Sequence, residues 1–247
     1  MGASIRRQSH LQARMNAILS IRCAALSLVL IVAGGCATAP PPASGDVPEW
    51  QPLQLPGKRA TAYARAECAG RSAWLAKSDA SVSLWRRKVE ADITPSTEVE
   101  FSWWVPQTIP TADLRRAETA DSPVRVVFAF SGDVSTLSMR NRLQFQLAES
   151  LMGESPPYAT LMYVWDNLAE PESVLPGARS DRVRKIVVER GHGNLKRWLT
   201  YRRPLMTDFQ RAFGEPPGRL VGIALLTDTD NTGAKAEACY GDVLLRQ

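Results

Sequence analysis

Residues 97–105, TEVEFSWWV, alternate strictly between apolar and polar side chains. Neighbouring side chains of a β-strand point to opposite faces, so a period of two predicts a strand with one buried and one solvated face. The side chains of the expected buried face are Val99, Phe101, Trp103 and Val105, and those of the other face are Glu98, Glu100, Ser102 and Trp104. Because an apolar sheet face must be covered, such segments predict packed sheets.

Further segments have the composition of strands. Residues 124–130 repeat the alternation, whereas residues 220–226 are apolar on both faces, as in a central strand. Clusters of Pro, Gly and Asp separate most of the segments, which is typical of antiparallel sandwiches. We therefore predict an all-β, mainly antiparallel, jelly-roll-like β-sandwich. The other predicted strands are residues 81–85, 160–165, 183–189, 220–227 and 240–245.

Two short helices interrupt this pattern. Residues 138–152 carry an apolar residue at every fourth position, behind a Ser N-cap and before Gly153. Residues 204–213 begin with Pro and are followed by Gly214. Neither helix is long enough to form a layer, so we expect both to pack at the rim of the sheets. The apolar series of the first helix is Met139, Leu143, Leu147 and Leu151.

The amino-terminal segment resembles a bacterial lipoprotein leader. Residues 24–33 are almost entirely apolar, follow a stretch with arginines and no acids, and lead into Gly34-Gly35-Cys36. This pattern predicts a signal peptide over residues 1–35, starting at Met1 or Met15, and lipidation of Cys36. An uncleaved membrane anchor and an ordinary signal peptide are the alternatives. Ala37, in place of Asp, is typical of lipoproteins sent to the outer membrane, facing the periplasm or the cell surface.

The segment after Cys36 is rich in Pro and Ala. It predicts a tether over residues 36–59 and a folded domain over residues 60–247. The formal charge of +5 falls to +1 when the four arginines of the leader are left out. This weak charge argues against nucleic acid as a partner.

Cys68 and Cys239 are the cysteines that remain outside the leader and the lipidation site. Outside the cytoplasm such thiols oxidise, so we expect them to form a disulfide. The alternative is a catalytic cysteine activated by His192, which would need a persistent thiolate.

Oxygen ligands are concentrated between residues 228 and 232, in a segment expected to join the last two strands as a hairpin. Asp228, Asp230, Asn231 and Thr232 precede Gly233, and Asp242 is expected on the facing strand. Hard oxygen donors at alternating positions suit calcium, which would make the loop rigid. The same residue types also satisfy the backbone of an ordinary turn, and the sequence leaves both interpretations open.

Aromatic residues on polar faces are candidates for binding sugar rings, with carboxylates and arginines contacting the hydroxyls. The candidate ligand-binding residues are Trp104, Trp165, Asp166 and Arg202. The alternatives are core or edge positions for the tryptophans and ion pairs for the arginine. A hydrolase would also need two nearby carboxylates, for which Asp166, Asp208, Asp228 and Asp242 are available.

Four segments carry a family resemblance: YATLMYVWDN (158–167), RKIVVERG (184–191), YRRPLMTDFQRAFGEPP (201–217) and GIALLTDTDNTGAKAEACYGDV (222–243). They resemble the bacterial family catalogued as domain of unknown function 3047. The resemblance implies a jelly-roll-like sandwich related in shape to sugar-binding modules, and it transfers no catalytic residues.

These observations predict a lipid-anchored envelope protein that binds a glycan or another envelope polymer without catalysis. The alternatives are a polysaccharide-active glycoside hydrolase and a structural envelope protein that binds other proteins.

Overall fold

The computed structural model describes residues 49–178 and 180–247. The predicted signal peptide, the lipidation site at Cys36 and the first part of the tether lie outside the described residues. Thirteen strands and two α-helices follow one another in these ranges. The strands are β1 (Gln51–Gln54), β2 (Ala62–Cys68), β3 (Arg71–Asp79), β4 (Ser83–Ala91), β5 (Glu98–Trp104), β6 (Ser122–Phe130), β7 (Ala159–Asp166), β8 (Val174–Pro176), β9 (Val183–Arg190), β10 (Trp198–Pro204), β11 (Leu220–Asp228), β12 (Lys235–Tyr240) and β13 (Leu244–Arg246), and the helices are α1 (Met139–Met152) and α2 (Leu205–Phe213).

The strands form two sheets. Sheet A has the order β1-β4-β11-β6-β7-β9-β8, and sheet B has the order β10-β5-β12-β3-β2, with β13 also paired to β5. The pairs are antiparallel except for β7 with β9. The predicted mainly antiparallel β-sandwich is therefore confirmed.

The main core lies between the inner faces of the two sheets. Phe101 and Trp103 of β5 are buried in it, as the alternation predicts, and Glu100 remains partly exposed on the opposite face. Phe101 stacks on Tyr163 of β7 with ring centroids 5.2 Å apart, so an aromatic contact joins sheet B to sheet A. Such buried rings supply a large share of the apolar area that holds two sheets together.

The chain crosses from one sheet to the other after β11. β11 pairs with β4 and β6 in sheet A, whereas β12 pairs with β3 and β5 in sheet B. The predicted hairpin is therefore wrong, because β11 already has a partner on each side and offers the returning chain no free edge. β12 begins at Lys235, and the predicted strand 240–245 divides into the end of β12 and the start of β13.

The folded domain begins earlier than the sequence predicts. β1 lies within the predicted tether and pairs with β4, opposing Gln51 to Arg86. Trp50, one residue before β1, packs against the main core. The tether prediction is therefore wrong for residues 50–54, whose apolar side chains and backbone hydrogen bonds attach them to the sandwich.

Helix α2 packs at the rim of the sandwich, as predicted. Its Leu205 and Phe209 are buried, and the Phe209 ring lies 4.6 Å from the ring of Phe130 on β6. Gly214 ends the helix in the left-handed conformation, with φ of 74°.

Helix α1 has the predicted ends but presents an unexpected face to the domain. Ser138 accepts a hydrogen bond from the Asn141 amide at one end, and Gly153 closes the other end with φ of 72°. The apolar series faces solvent: Met139 is 71% exposed, Leu143 60%, Leu147 61% and Leu151 61%. Asn141 faces the domain and is buried.

No helix in the described ranges is long and apolar enough to cross a bilayer.

Candidate functional site

The acidic segment that crosses between the sheets is held by ion pairs. Asp228 Oδ2 lies 2.8 Å from a guanidinium nitrogen of Arg125, and Asp230 pairs with Lys58. Asp121, which precedes β6, completes a group of three carboxylates whose oxygens lie within 4.8 Å of one another. Burial raises the pKa of Asp228 to about 7, and Arg125 opposes this rise.

Hydrogen bonds within the protein also account for the rest of this segment. Asp121 accepts hydrogen bonds from the amides of Asn231 and Thr232, at 3.2 and 2.7 Å, and from the Thr232 hydroxyl at 2.6 Å. Arg125 and Lys58 already supply the positive charge that calcium would bring to these carboxylates. The contacts agree with the turn interpretation, and the calcium site stays a prediction.

Asp242 does not belong to this group. Its carboxylate lies 3.7 Å from Arg65 of β2 and is largely exposed. The expectation that Asp242 faces Asp228 is wrong because β12 carries the chain away along sheet B.

Trp165 and Asp166, two of the predicted ligand-binding residues, are buried at the end of β7. The Trp165 indole donates a hydrogen bond to the Gly191 carbonyl at 3.0 Å. Asp166 accepts hydrogen bonds from the amides of Leu114, Leu168 and Ala169. Both predictions of ligand binding are wrong, because Trp165 is buried in the main core on the inner face of β7 and Asp166 holds the backbone of neighbouring loops.

Trp104 and Arg202 share the outer face of sheet B, as the alternation predicts for Trp104. Trp104 opposes Trp198 of β10 in the strand register, and both pack beside the cysteines. Arg202 is exposed and pairs with Glu100 at 3.0 Å. These two predicted ligand-binding residues are accessible, but they stand at opposite ends of the β5–β10 pair.

Cys68 and Cys239 form a disulfide with Cα atoms 6.3 Å apart, as predicted. A cysteine nucleophile paired with His192 is thereby excluded in the oxidised protein. The His192 Nε2 atom instead lies 3.0 Å from the Thr108 hydroxyl.

The carboxylates considered for hydrolysis lie in separate environments. Asp208 is buried on α2, where it accepts a hydrogen bond from the Tyr163 hydroxyl at 2.8 Å and pairs with Arg203 and Arg211. Asp166 holds backbone amides, Asp228 pairs with Arg125, and Asp242 is exposed. Asp166, Asp208 and Asp228 are thus held by contacts within the fold, whereas Asp242 is exposed.

A group of aromatic and arginine side chains lies where the edges of the two sheets meet. We call it the edge cluster; its members are Trp50, Tyr63, Arg65, Trp74, Trp85 and Arg87. The Trp74 ring of sheet B lies 5.0 Å from the Trp85 ring of sheet A, and Tyr63 stacks on Trp85 at 5.9 Å. Trp50 lies 6.4 Å from Trp74. All four rings are partly exposed.

Two arginines lie over these rings. The Arg65 guanidinium carbon is 4.3 Å from the centroid of Trp74, and that of Arg87 is 5.4 Å from the centroid of Trp50. Burial lowers the pKa of Arg87, and Asp242 opposes this effect. An arginine whose charge is partly desolvated gains from a nearby anion.

The edge cluster also contains polar atoms without partners. In the part of the chain that the structure describes, six buried side-chain nitrogens have no hydrogen-bond partner, and three of them, Trp74 Nε1, Trp85 Nε1 and Arg87 Nε, belong to this cluster. Unsatisfied buried donors are rare in folded proteins and costly. Of the edge cluster, Arg87 also lines an open pocket of about 400 Å³, together with Lys88, Val89 and Glu90 of β4, Ile223 of β11 and residues 243–245.

Comparison with known proteins gives the family. The model described as Protein of unknown function (DUF3047) matches residues 48–244. The chain belongs to the DUF3047 family. No curated protein matches it. Among solved structures, it is similar to "Xyloglucanase domain of NopAA, a type three effector from Sinorhizobium fredii in complex with cellobiose", with 9% identity and a TM-score of 0.41, over 80% of this chain and 92% of that chain.

The edge cluster of this DUF3047 domain offers groups that can contact a ligand. Its aromatic faces can stack on apolar ring faces, and its N–H groups can donate to ligand oxygens. The two arginines add positive charge. The nearest acids, Glu90 and Asp242, are both largely exposed and lie beside arginines, at 4.0 Å from Arg219 and 3.7 Å from Arg65.

None of the edge-cluster residues is singled out by the sequence patterns. Neither β2 nor β3 is predicted, and Trp50 falls in the predicted tether. A usable signal was present, since Tyr63 and Arg65 stand two residues apart on one strand face, as do Trp85 and Arg87 on another.

Proposed function

We propose that this chain is a lipid-anchored cell-envelope protein whose sandwich binds a carboxylate-bearing glycan, without catalysis, at the edge cluster. The observation that carries the proposal is the set of three N–H donors of the edge cluster for which the described part of the chain supplies no acceptor. Sugar hydroxyls and carboxylates are acceptors for such donors, and sugar rings offer C–H faces to aromatic side chains.

The arginines support an acidic rather than a neutral glycan. Arg87 donates a hydrogen bond from Nη2 to the Val243 carbonyl at 2.7 Å, and its Nε has no partner within residues 49–178 and 180–247. Arg65 lies 3.7 Å from the carboxylate of the exposed Asp242. A carboxylate in the pocket would accept a charge-assisted hydrogen bond from Arg87, which favours uronic acids over neutral sugars.

The proposed anchor is compatible with this site. If Cys36 is lipidated, the chain from Cys36 to Glu49 reaches at most about 45 Å when fully extended. The edge cluster contains Trp50, at the start of the folded domain, so it would stay close to the anchoring membrane. Outer-membrane location and a periplasmic or surface orientation belong to the same proposal.

Calorimetry on the full chain in detergent micelles tests the proposal. Polygalacturonate is the acidic probe and dextran the neutral one. We expect heat of binding with polygalacturonate, loss of most of it in Trp74→Phe, which keeps a ring but removes the donor, and loss in Arg87→Gln. Trp104→Phe is the matched control, because it changes a partly exposed tryptophan on the other side of sheet B.

The outcomes separate the function classes. Equal loss in Trp104→Phe and Trp74→Phe, or no heat with polygalacturonate, would overturn the proposal. Release of reducing ends from the same polymer would instead favour a glycoside hydrolase. Heat with dextran but not with polygalacturonate would contradict the acidic-ligand assignment.

A further inference from the structure

The hairpin of β2 and β3 contributes to two different clusters through its two faces. Residues directly opposite one another in the register point to the same side, so Arg65 and Trp74 share one face, and Cys68 lies on the other. The first face contributes Tyr63, Arg65 and Trp74 to the edge cluster. The second face contributes Cys68, which forms the disulfide with Cys239 of β12. One hairpin therefore connects the disulfide to half of the edge cluster.

The end of this hairpin extends beyond the strand that pairs with it. The described pairing of β3 with β12 reaches as far as Trp74, which opposes Tyr240, the last residue of β12. Residues 67–72 lie past this point and pair with each other across the hairpin. The turn itself is formed by Ala69 and Gly70, both with positive φ. The strand pairing that attaches the hairpin to the rest of sheet B thus ends at Trp74.

The disulfide requires the end of the hairpin to bend over the outer face of sheet B. Cys239 opposes Leu75 on β3, whereas Cys68 opposes Arg71, four residues away on the same strand. In a flat sheet the two cysteine Cα atoms would be about 16 Å apart, from about 3.3 Å per residue and about 4.8 Å per strand. They are 6.3 Å apart. The bend therefore brings the end of the hairpin about 10 Å closer to β12 than a flat sheet would.

Contacts beside the disulfide lie on the same face. The Trp198 indole donates a hydrogen bond to the Cys68 carbonyl at 3.1 Å, and the Arg71 guanidinium carbon lies 5.0 Å from the centroid of the Trp198 ring. Cys68 and Cys239 are buried together with Ala73. These contacts are noncovalent, whereas the disulfide is covalent, so the bend depends mainly on the disulfide.

Trp74 stands where the bend begins, so the bend sets the position of its ring. The ring lies 5.0 Å from that of Trp85 and 6.4 Å from that of Trp50. Arg65 opposes Trp74 on β2, and its guanidinium carbon lies 4.3 Å from the Trp74 ring centroid. Straightening of the hairpin would therefore change the distances among these rings and the arginine.

We infer that the Cys68–Cys239 disulfide positions Arg65 and Trp74 for ligand binding, so that the edge cluster is complete only in the oxidised protein. The disulfide forms by exchange with a second disulfide, which takes up two electrons and two protons from the cysteines and becomes two thiols. Such oxidation occurs outside the cytoplasm. The binding site would thus be completed after export. The inference rests on the proposed function, because it concerns the same site.

Binding of polygalacturonate by the full chain in detergent micelles tests this dependence. The variant Cys68→Ala/Cys239→Ala is compared with the oxidised parent by calorimetry, at a temperature well below both melting transitions. We expect its dissociation constant to be at least tenfold higher. The control is Val187→Ala, which removes buried methyl groups from β9 and so lowers stability without touching the hairpin. The control should bind like the parent.

Fluorine NMR gives a readout that needs no ligand. The seven tryptophans are replaced by a fluorinated tryptophan, and the resonances of Trp74 and Trp85 are assigned with Trp74→Phe and Trp85→Phe. We expect both resonances to shift in the cysteine double variant, whereas Trp165, buried on β7, should keep its resonance. A disulfide that only stabilises the fold would change the melting temperature and leave all three resonances in place below it.

The outcomes separate this inference from the proposed function. Unchanged affinity in the cysteine variant, with polygalacturonate bound by the parent, overturns the inference and leaves the proposed function intact. Equal weakening in Val187→Ala assigns the effect to stability and also overturns it.

A parent that binds no polygalacturonate defeats the proposed function, and the fluorine resonances then decide the positioning role. Shifts of Trp74 and Trp85 support that role, and unchanged resonances refute it. If the cysteine variant does not fold, the parent reduced by a water-soluble phosphine replaces it in both measurements.

Discussion

Asp228 and Arg125 form an ion pair between the neighbouring strands β11 and β6, with 2.8 Å between the carboxylate and a guanidinium nitrogen and 8% of each side chain exposed. Neither charge is adequately solvated without the other. Removing one partner of a buried pair costs about 3–5 kcal/mol, whereas replacing both by apolar residues is often neutral. Arg125→Met should therefore lower the free energy of unfolding by about this amount in urea titrations.

The double variant Arg125→Met/Asp228→Leu is the matched control. We expect it to recover much of the lost stability, because no charge is left unpaired. A single variant as stable as the parent would show that the pair contributes little.

The same carboxylate gives a pH dependence. Burial raises the pKa of Asp228 to about 7, from an ordinary value near 3.8. Between these values the folded protein binds more protons than the unfolded chain, so this group's contribution to stability falls as the pH rises through the window. Asp228→Asn should remove that contribution, changing the slope of unfolding free energy against pH by at most about 1.4 kcal/mol per unit. Identical slopes for parent and variant would contradict the raised pKa.

The disulfide should contribute a large part of the stability. It joins residues separated by 171 positions, and closing a loop of this size restricts the unfolded chain. We expect the double variant Cys68→Ala/Cys239→Ala to lose about 2–5 kcal/mol of unfolding free energy. Melting curves with and without reductant check this: the parent should respond to reductant and the double variant should not. If full reduction leaves the melting temperature of the parent unchanged, the disulfide does not contribute this stability.

Calcium should not stabilise the protein. Arg125 and Lys58 already pair with Asp228 and Asp230, so an added cation would have to displace them. We expect the same melting temperature with millimolar calcium and with chelator. Asp121→Asn serves as the comparison, since it removes an acceptor of three hydrogen bonds and should lower the melting temperature without calcium playing any part. A rise with calcium that is lost in Asp121→Asn would establish the metal site.

Local patterns predicted those strands whose two faces differ strongly. β5 and β6 carry large aromatic and β-branched side chains toward the core, so their alternation is visible in the sequence. β2 was not predicted because Ala62, Ala64 and Ala66 give little contrast between its faces. Local patterns also could not predict that the chain crosses to the other sheet after β11. The sequence of a turn does not show whether both edges of the preceding strand are already paired, as those of β11 are with β4 and β6.

The ligand-binding residues were harder to predict because exposure depends on what covers a strand. Trp165 lies beside polar residues in the sequence, yet it shares the inner face of β7 with Tyr163 and is buried. The edge cluster is assembled from three strands and the residue before β1, and only the order of the strands in both sheets brings these side chains together.

The placement of β11 and β12 also affects how the domain is assembled. β11 is the strand that joins β4 to β6, and β12 is the strand that joins β5 to β3. Without them, each sheet is two separate halves, so strand pairs made early in synthesis, such as β2–β3 and β6–β7, cannot join into complete sheets until residues 220–240 exist. A nascent or truncated chain should therefore stay sensitive to protease until nearly its full length is complete.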